Sequence, residues 1–267
     1  MSEPATVPSL LEGVLESRRE IAPGVCLLRF ETRAGNRGEG PRPGQFFLVD
    51  CDGGREHILR RPLSAFDAYY SDNSLVSVEF LVEAVGWGTR RLCSVEEGGT
   101  VGLLGPLGRP LEDGKGTPLL VAGGMGIAPL HFLAREMDRR DKKYLMLAGF
   151  KSGAGFRALL SGLDGEAVIY TEDGSEGETG MVSQGVASRL ESGKYERVIS
   201  CGPEAMMASV SEICERARVP CTVSLVARMA CGLGACRGCV RRGRGGRNLC
   251  VCQEGPAFDS REVLWRS

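Results

Sequence analysis

The sequence has no stretch approaching the roughly 18 uninterrupted apolar residues that a membrane-spanning helix needs. Its start, Met1-Ser2-Glu3-Pro4, lacks the basic and apolar regions of a secretion signal, so a cytoplasmic location is the expectation. Net charge is missing too: 33 basic against 34 acidic side chains leave -1, which removes any global pull towards nucleic acid or an anionic membrane. Partners must be recognised locally. There is no internal repeat and no collagen period, and Gly and Pro, at 38 and 13, stay below a low-complexity level. With 42% hydrophobic and 25% charged residues, the 267-residue chain can bury a sizeable core and should be rich in turns.

Cysteine is the exception to this average composition. Eleven of them in a chain without a signal are not a disulfide scaffold, because cytosolic thiols stay reduced. Cys26, Cys51, Cys93, Cys201, Cys214 and Cys221 are scattered in apolar company and behave as small buried hydrophobes. Cys231, Cys236, Cys239, Cys250 and Cys252 crowd together, and Cys231-x4-Cys236-x2-Cys239 followed by a further cysteine is the plant-type spacing for a 2Fe-2S cluster. A structural zinc site would favour paired C-x2-C knuckles, and unrelated thiols need no spacing at all. Gly232, Gly234 and Gly238 allow tight turns that point N–H groups at sulfur. The fourth place is open to Cys250 or Cys252, and the Gly255-Pro256 turn favours Cys252. Between the third and fourth candidates, Arg241-Arg242-Gly243-Arg244-Gly245-Gly246-Arg247 reads as a solvated loop or as a dock for an acidic partner surface. An RNA-binding loop would need aromatic residues nearby.

Three regions follow from the pattern of runs and breaks. Residues 10–113 alternate in short strands, such as Val25 to Phe30, Gln45 to Val49 and Leu75 to Val82, and suggest a small antiparallel barrel with an exposed connection at 33–43. Residues 116–221 open with the buried run Pro118 to Ala122, a glycine turn and a helix over Pro129 to Arg140. Strand candidates recur at Tyr144 to Phe150, Ala167 to Thr171 and Arg197 to Cys201, and a helical stretch covers Glu204 to Arg218, so a doubly wound parallel sheet is expected. Residues 222–267 are too poor in large apolar side chains to fold without a staple.

Three motifs suit phosphates. Gly123-Gly124-Met125-Gly126-Ile127-Ala128-Pro129-Leu130 lies between strand and helix, where small residues let a pyrophosphate approach the backbone; alone, without the G-x-G-x-x-G pattern, it could be a plain turn. Arg61-Pro62-Leu63-Ser64 offers an arginine and a hydroxyl at a strand end, and Gly86-Trp87-Gly88-Thr89 adds a turn opening a short helix over Thr89 to Cys93. Glu172 and Asp173, after a candidate strand, would disfavour a 2′-phosphate and so lean towards NAD.

The succession of these motifs with Gly105-Pro106-Leu107-Gly108, Cys201-Gly202-Pro203 and Met229-Ala230-Cys231-Gly232-x-Gly234-Ala235-Cys236-x-x-Cys239 resembles the electron-transfer subunits of class 1B dihydroorotate dehydrogenase, within the ferredoxin reductase superfamily. The resemblance covers nearly the whole chain and implies an FAD-binding barrel, an NAD-binding α/β domain and a C-terminal 2Fe-2S domain. It implies that Arg61, Pro62, Leu63, Ser64, Gly88 and Thr89 bind FAD, joined by Leu81, Val82 and Glu83. Val82 and Glu83 stand where family members often carry an aromatic residue and an arginine. Gly124, Gly126, Ile127, Cys201 and Gly202 would face the nicotinamide dinucleotide, and the family's fourth cluster ligand precedes x-x-G-P, which selects Cys252 and leaves Cys250 as an extra. The implied activity is electron transfer from the FMN of a separate catalytic subunit, where dihydroorotate is oxidised in pyrimidine biosynthesis, to NAD+, in a heterotetramer. No general base is expected in this chain. The alternatives are a related flavin and iron–sulfur reductase serving a ferredoxin or a sulfur-reducing partner, and an iron–sulfur sensor without flavin.

Overall fold

A computed structural model describes residues 8–33, 40–51, 58–72, 74–153 and 155–265. The connection expected at 33–43 falls largely on residues 34–39, outside the described residues.

Seven antiparallel strands come first: β1 (Ser9–Ala22), β2 (Val25–Arg33), β3 (Phe46–Val49), β4 (Arg61–Ser64), β5 (Asp67–Ser71), β6 (Ser74–Glu83) and β7 (Thr100–Leu107). They pair in the order β4-β3-β7-β1-β2-β6-β5. The two ends of that order are one bent stretch of chain. Between β4 and β5, Ala65 N–H donates to the Gln45 carbonyl at 3.1 Å and Phe66 N–H to that of Glu79 at 2.8 Å, so the sheet closes on itself as a barrel. Alternating side chains fill it: Leu28, Phe30, Phe47, Val78, Phe80 and Leu103 are all buried, with the Phe47 and Phe80 rings edge to face at 5.6 Å. Helix α1 (Trp87–Cys93) starts two residues before the position expected from sequence, because the Thr89 hydroxyl accepts the Gly86 N–H at 3.0 Å and secures the first turn.

The second sheet is parallel over β8 (Pro118–Gly123), β9 (Leu145–Phe150), β10 (Glu166–Thr171), β11 (Glu178–Thr179), β12 (Arg197–Cys201) and β13 (Cys221–Ser224), in the order β11-β10-β9-β8-β12-β13. Every residue of β8 is buried, as a strand covered on both faces must be. Around it lie α2 (Ile127–Asp138), α3 (Arg157–Leu160), α4 (Val182–Glu191) and α5 (Glu204–Ala217). Pro129 falls inside the first turn of α2, where its missing N–H needs no acceptor.

The cysteine-rich stretch forms a two-stranded ribbon, β14 (Val240–Arg242) and β15 (Asn248–Cys250), then α6 (Val251–Glu254) and β16 (Ala257–Asp259). β16 pairs antiparallel with β13 and becomes the edge of the second sheet. The boundary expected between 221 and 222 therefore falls inside β13, and the cysteines lie on a long excursion from one sheet edge. The reason is apolar: Cys221, Val223 and Phe258 are buried with Leu249, Val251 and Val263 in a core that also holds Phe46, Leu48 and Leu107 of the barrel.

Barrel and parallel sheet share a second core, joining Ile21, Val25, Phe66 and Leu81 to Ile127, Leu130, Met137 and Ile199. Here His131 of α2 stacks on Phe66 with ring centroids 3.9 Å apart, and its Nδ1 lies 3.2 Å from the Phe66 carbonyl. Burial pushes its pKa down from 6.5 to about 4, so the ring is neutral at physiological pH. Beside it, buried Asp67 of β5 faces Arg135 and Arg139 of α2 at 3.6 and 3.4 Å.

Candidate functional site

In the parallel sheet the chain winds one way from β8 through β9 and β10, and the other way through β12 and β13. The crevice beyond the carboxyl ends of β8 and β12 is a topological switch point, where open α/β sheets take their ligands. A cavity of about 1080 Å³ opens there. Its floor is the glycine turn after β8 and the Cys201-Gly202-Pro203 turn after β12.

The two turns touch. A Cβ added to Gly126 would stand 2.2 Å from the Cys201 carbonyl oxygen and 2.6 Å from Gly202 N, so only glycine lets these backbones meet. Gly124, by contrast, has nothing within 4 Å of an added Cβ and opens on the cavity. Gly124, Gly126, Cys201 and Gly202 all line it, whereas Ile127 is fully buried below, anchoring α2. The Cys201 thiol is pushed up to about 12 by burial and stays protonated, a neutral group on the cavity wall.

The barrel supplies the opposite wall. Pro62, Leu63 and Ser64 of β4 and Leu81 and Glu83 of β6 face the cavity. Val82, between those last two, points the other way into the barrel core, as the period of two along a strand requires. Arg61, Gly88 and Thr89 form a group beside the cavity: an added Gly88 Cβ would lie 2.4 Å from Arg61 Nε, so the guanidinium lies against the start of α1. The geometry thus brings the two phosphate motifs of the barrel together, with an arginine against the start of a short helix.

Glu172, named from sequence, lines the cavity where it follows β10. Lys151 and Ser152, which follow β9, and Met206 and Met229, of α5 and the cysteine segment, line it with no motif to mark them. The first two sit beyond the carboxyl end of a parallel strand, the one signal that could have found them. Asp173, paired with Glu172 in the reading for NAD, is not among the residues lining the cavity; its carboxylate accepts the Ser175 hydroxyl at 2.6 Å and N–H at 3.0 Å. Of the two, Glu172 is the one that lines the cavity.

Beyond Met229 the chain enters the cysteine loop, where backbone N–H groups aim at sulfur. Cys231 Sγ accepts the Leu233 and Cys236 N–H groups, both at 3.4 Å, Cys236 Sγ accepts that of Gly238 at 3.4 Å, and Cys239 Sγ accepts that of Cys252 at 3.4 Å. Cys252 Sγ accepts the Gly234 N–H at 3.2 Å. These N–H groups favour thiolate; those of Cys236 and Leu233 bring Cys231 down from 9.0 to about 7. The donor set fits a cluster held by four thiolates and solvated by backbone dipoles. Cys236 is exposed and Cys231 half-buried, whereas Cys239 and Cys252 are buried and share their corner with Cys250. An added Gly232 Cβ would stand 2.7 Å from Leu48 Cδ1 and 2.9 Å from Leu107 Cδ1, which seats the loop directly on the barrel.

The arginine run is largely exposed, and its ion pairs run to neighbouring elements. Arg241 pairs with Glu204 at 2.6 Å, Arg244 with Glu215 at 3.2 Å, and Arg247 with Glu254 and Glu262, each at 3.1 Å. Three of the four arginines clamp the cysteine segment to α5, to α6 and to its own last turn.

The model of the iron-sulfur cluster binding domain of dihydroorotate dehydrogenase B matches residues 227–264, which are those of this loop and its anchors. The dihydroorotate dehydrogenase B (NAD(+)) electron transfer subunit of Caldanaerobacter subterraneus subsp. tengcongensis is 38% identical over 254 residues, covering 93% of this chain and 96% of the relative. That of Clostridium acetobutylicum is 36% identical over 225 residues, covering 84% and 86%. Among solved structures, an NADH-dependent reduced ferredoxin-NADP oxidoreductase described for flavin-based electron bifurcation superposes with a TM-score of 0.81 at 27% identity, over 95% of this chain and 90% of that one. The ferredoxin reductase of carbazole 1,9a-dioxygenase shares the fold, with a TM-score of 0.67 at 22% identity over 81% and 68%. With likeness running through barrel, parallel sheet and cysteine loop alike, the chain belongs to the family of dihydroorotate dehydrogenase B electron transfer subunits.

Proposed function

We propose that this chain is the redox subunit of a dihydroorotate-oxidising complex, receiving electrons from an FMN-bearing catalytic subunit and delivering them to NAD+. One observation carries the reading: a single cavity is bordered by β4 and β6 of the barrel, by the glycine turns of the parallel sheet, and by Met229 and Pro256, which flank the cysteine loop on either side. Flavin, dinucleotide and cluster sites would then be neighbours. Bound FAD supplies the exchange between one-electron steps at a 2Fe-2S centre and hydride transfer with nicotinamide.

The residues hold and tune. Arg61 and the first turn of α1 take FAD phosphates, while Pro62, Leu63, Ser64, Leu81 and Glu83 border its ring system, with Gly88 and Thr89 placing that turn. Val82 acts from behind, packing the strand that carries Leu81. Gly124, Gly126 and Gly202 admit the pyrophosphate of NAD to the backbone, with Ile127 fixing the helix below, and Glu172 disfavours a 2′-phosphate. Cys201 presents an uncharged thiol near the nicotinamide. Cys231, Cys236, Cys239 and Cys252 hold the cluster, with exposed Cys236 nearest the surface where a catalytic subunit would dock. Residues 10–113, 116–221 and 222–267 would serve FAD, NAD and cluster in turn. No described helix is long and apolar enough to cross a membrane, and the proposed site of action is the cytoplasm.

Anaerobic purification tests the reading. The expected sample shows flavin and cluster absorption together, co-purifies with an FMN protein in a heterotetramer, and couples NADH oxidation to orotate reduction. A cluster without flavin, even after FAD addition, would point to a sensor. Flavin and cluster with electron delivery to ferredoxin and none to orotate would place the chain with the reductase that superposes on it.

A further inference from the structure

Cys250 is a fifth thiol beside the four that the loop geometry provides for. It is 1% exposed. Its Sγ lies 3.8 Å from Cys239 Sγ and 4.0 Å from Cys252 Sγ, and all three sulfurs fall within 4.8 Å of one another. Two thiolates on one tetrahedral metal, each about 2.3 Å from it, stand about 3.8 Å apart. Cys250 therefore already keeps the spacing to Cys239 that two ligands of a shared iron require. What separates it from Cys252 is the backbone. Cys252 Sγ accepts the Gly234 N–H and its own N–H points at Cys239 Sγ. Cys250 Sγ instead faces those two sulfurs.

The backbone of Cys250 is held independently of any metal. Its N–H donates to the Glu254 carboxylate at 2.6 Å across α6, and that carboxylate is fixed by Arg247 at 3.1 Å. Rotation of the Cys250 side chain would leave that main-chain bond in place. Its sulfur also packs in the apolar core that holds Cys239 and Cys252.

We propose that Cys250 is a reserve ligand: Cys252 holds the second iron in the resident cluster, and Cys250 takes that iron when Cys252 is lost. The inference rests on the cluster reading above. Its test uses the full-length chain reconstituted anaerobically with ferrous iron and sulfide, in four forms: unaltered, Cys250→Ala, Cys252→Ala and the double variant. Alanine offers no ligand. Iron and acid-labile sulfide per chain are measured with the EPR spectrum of the reduced state, and bound flavin reports folding.

Cys250→Ala is expected to match the unaltered chain in iron and in EPR, Cys252→Ala to keep most of the iron with shifted g values, and the double variant to fall to background. A Cys252→Ala chain as empty as the double variant overturns the proposal, as does a double variant that keeps its cluster. Loss of iron in Cys250→Ala, or unshifted g values in Cys252→Ala, would make Cys250 the resident ligand and overturn it equally. If Cys252→Ala loses flavin and fold, Cys252→Ser is compared with Cys250→Ala/Cys252→Ser; identical iron and EPR in that pair count against Cys250. An unaltered chain that takes up no cluster sinks the cluster reading itself, whereas failure confined to the Cys252 variants sinks only the reserve role.

Discussion

The cysteine loop and the switch-point cavity are built on opposite principles. In the loop, chemistry resides in side chains: four thiols, each fed by a backbone N–H, on a stretch with little regular structure of its own. In the cavity, chemistry resides largely in their absence, since its floor is glycine backbone pressed against glycine backbone. A site of the first kind should tolerate change around its donors and alter its metal content or spectrum only when a donor is altered. One of the second kind should fail when anything is added.

The largest effect is expected at Gly126. Its alanine variant would force a methyl into the Cys201 carbonyl, where the obstructing atoms are main chain and cannot rotate away. A loss of about 3 kcal/mol or more in urea unfolding, with NADH binding lost as well, is expected; a variant of unaltered stability would show that the two turns are not in contact. The clash also means that Gly126→Glu, the natural probe of a pyrophosphate site, would damage both turns before its charge mattered.

The joint between barrel and parallel sheet, which depends on neither thiol nor glycine, comes next. Neutral His131 is buried, so as pH falls from about 6.5 towards about 4 the unfolded chain binds a proton that the folded chain refuses. Stability conferred by the neutral ring is thus complete above 6.5 and is drained on acidification, by on the order of 3 kcal/mol across the window. Urea midpoints taken through that range should slope less steeply in His131→Gln than in the unaltered chain; parallel slopes would remove His131 as the cause.

The smallest effect is expected at Gly238 in the cysteine loop. Its φ is not positive, and an added Cβ would meet only Cys236 Sγ, at an ordinary 3.5 Å. Since alanine keeps the N–H that reaches that sulfur, Gly238→Ala should hold its iron and change stability by less than about 0.5 kcal/mol. Iron loss in this variant would mean that the loop is as intolerant of added atoms as the cavity, and the contrast would fail.

The same contrast decides what could be read from sequence. Thiol spacing is local, so the cysteine cluster was legible, and the buried run Pro118 to Ala122 with its glycine turn announced a parallel strand. Gly238 was read as a turn maker alongside Gly232 and Gly234, yet the left-handed position beside it belongs to Arg237, which composition cannot reveal. The ion pairs of the arginine run were not legible because Glu204, Glu215 and Glu262 lie on other elements and meet it only after folding. β16 was invisible for a related reason: three residues acquire strand identity only from β13 alongside. Lys151, Met206 and Met229 gain cavity positions from topology, with no motif to mark them.

The return of β16 onto β13 has a consequence for assembly. Leu225 N–H donates to the Pro256 carbonyl at 2.9 Å where the excursion leaves and rejoins the sheet, so its two ends are stitched together by main-chain bonds rather than by iron. Strand pairing thereby meets the cost of closing so long a loop, and the cysteines sit on a frame anchored at both ends by main-chain bonds.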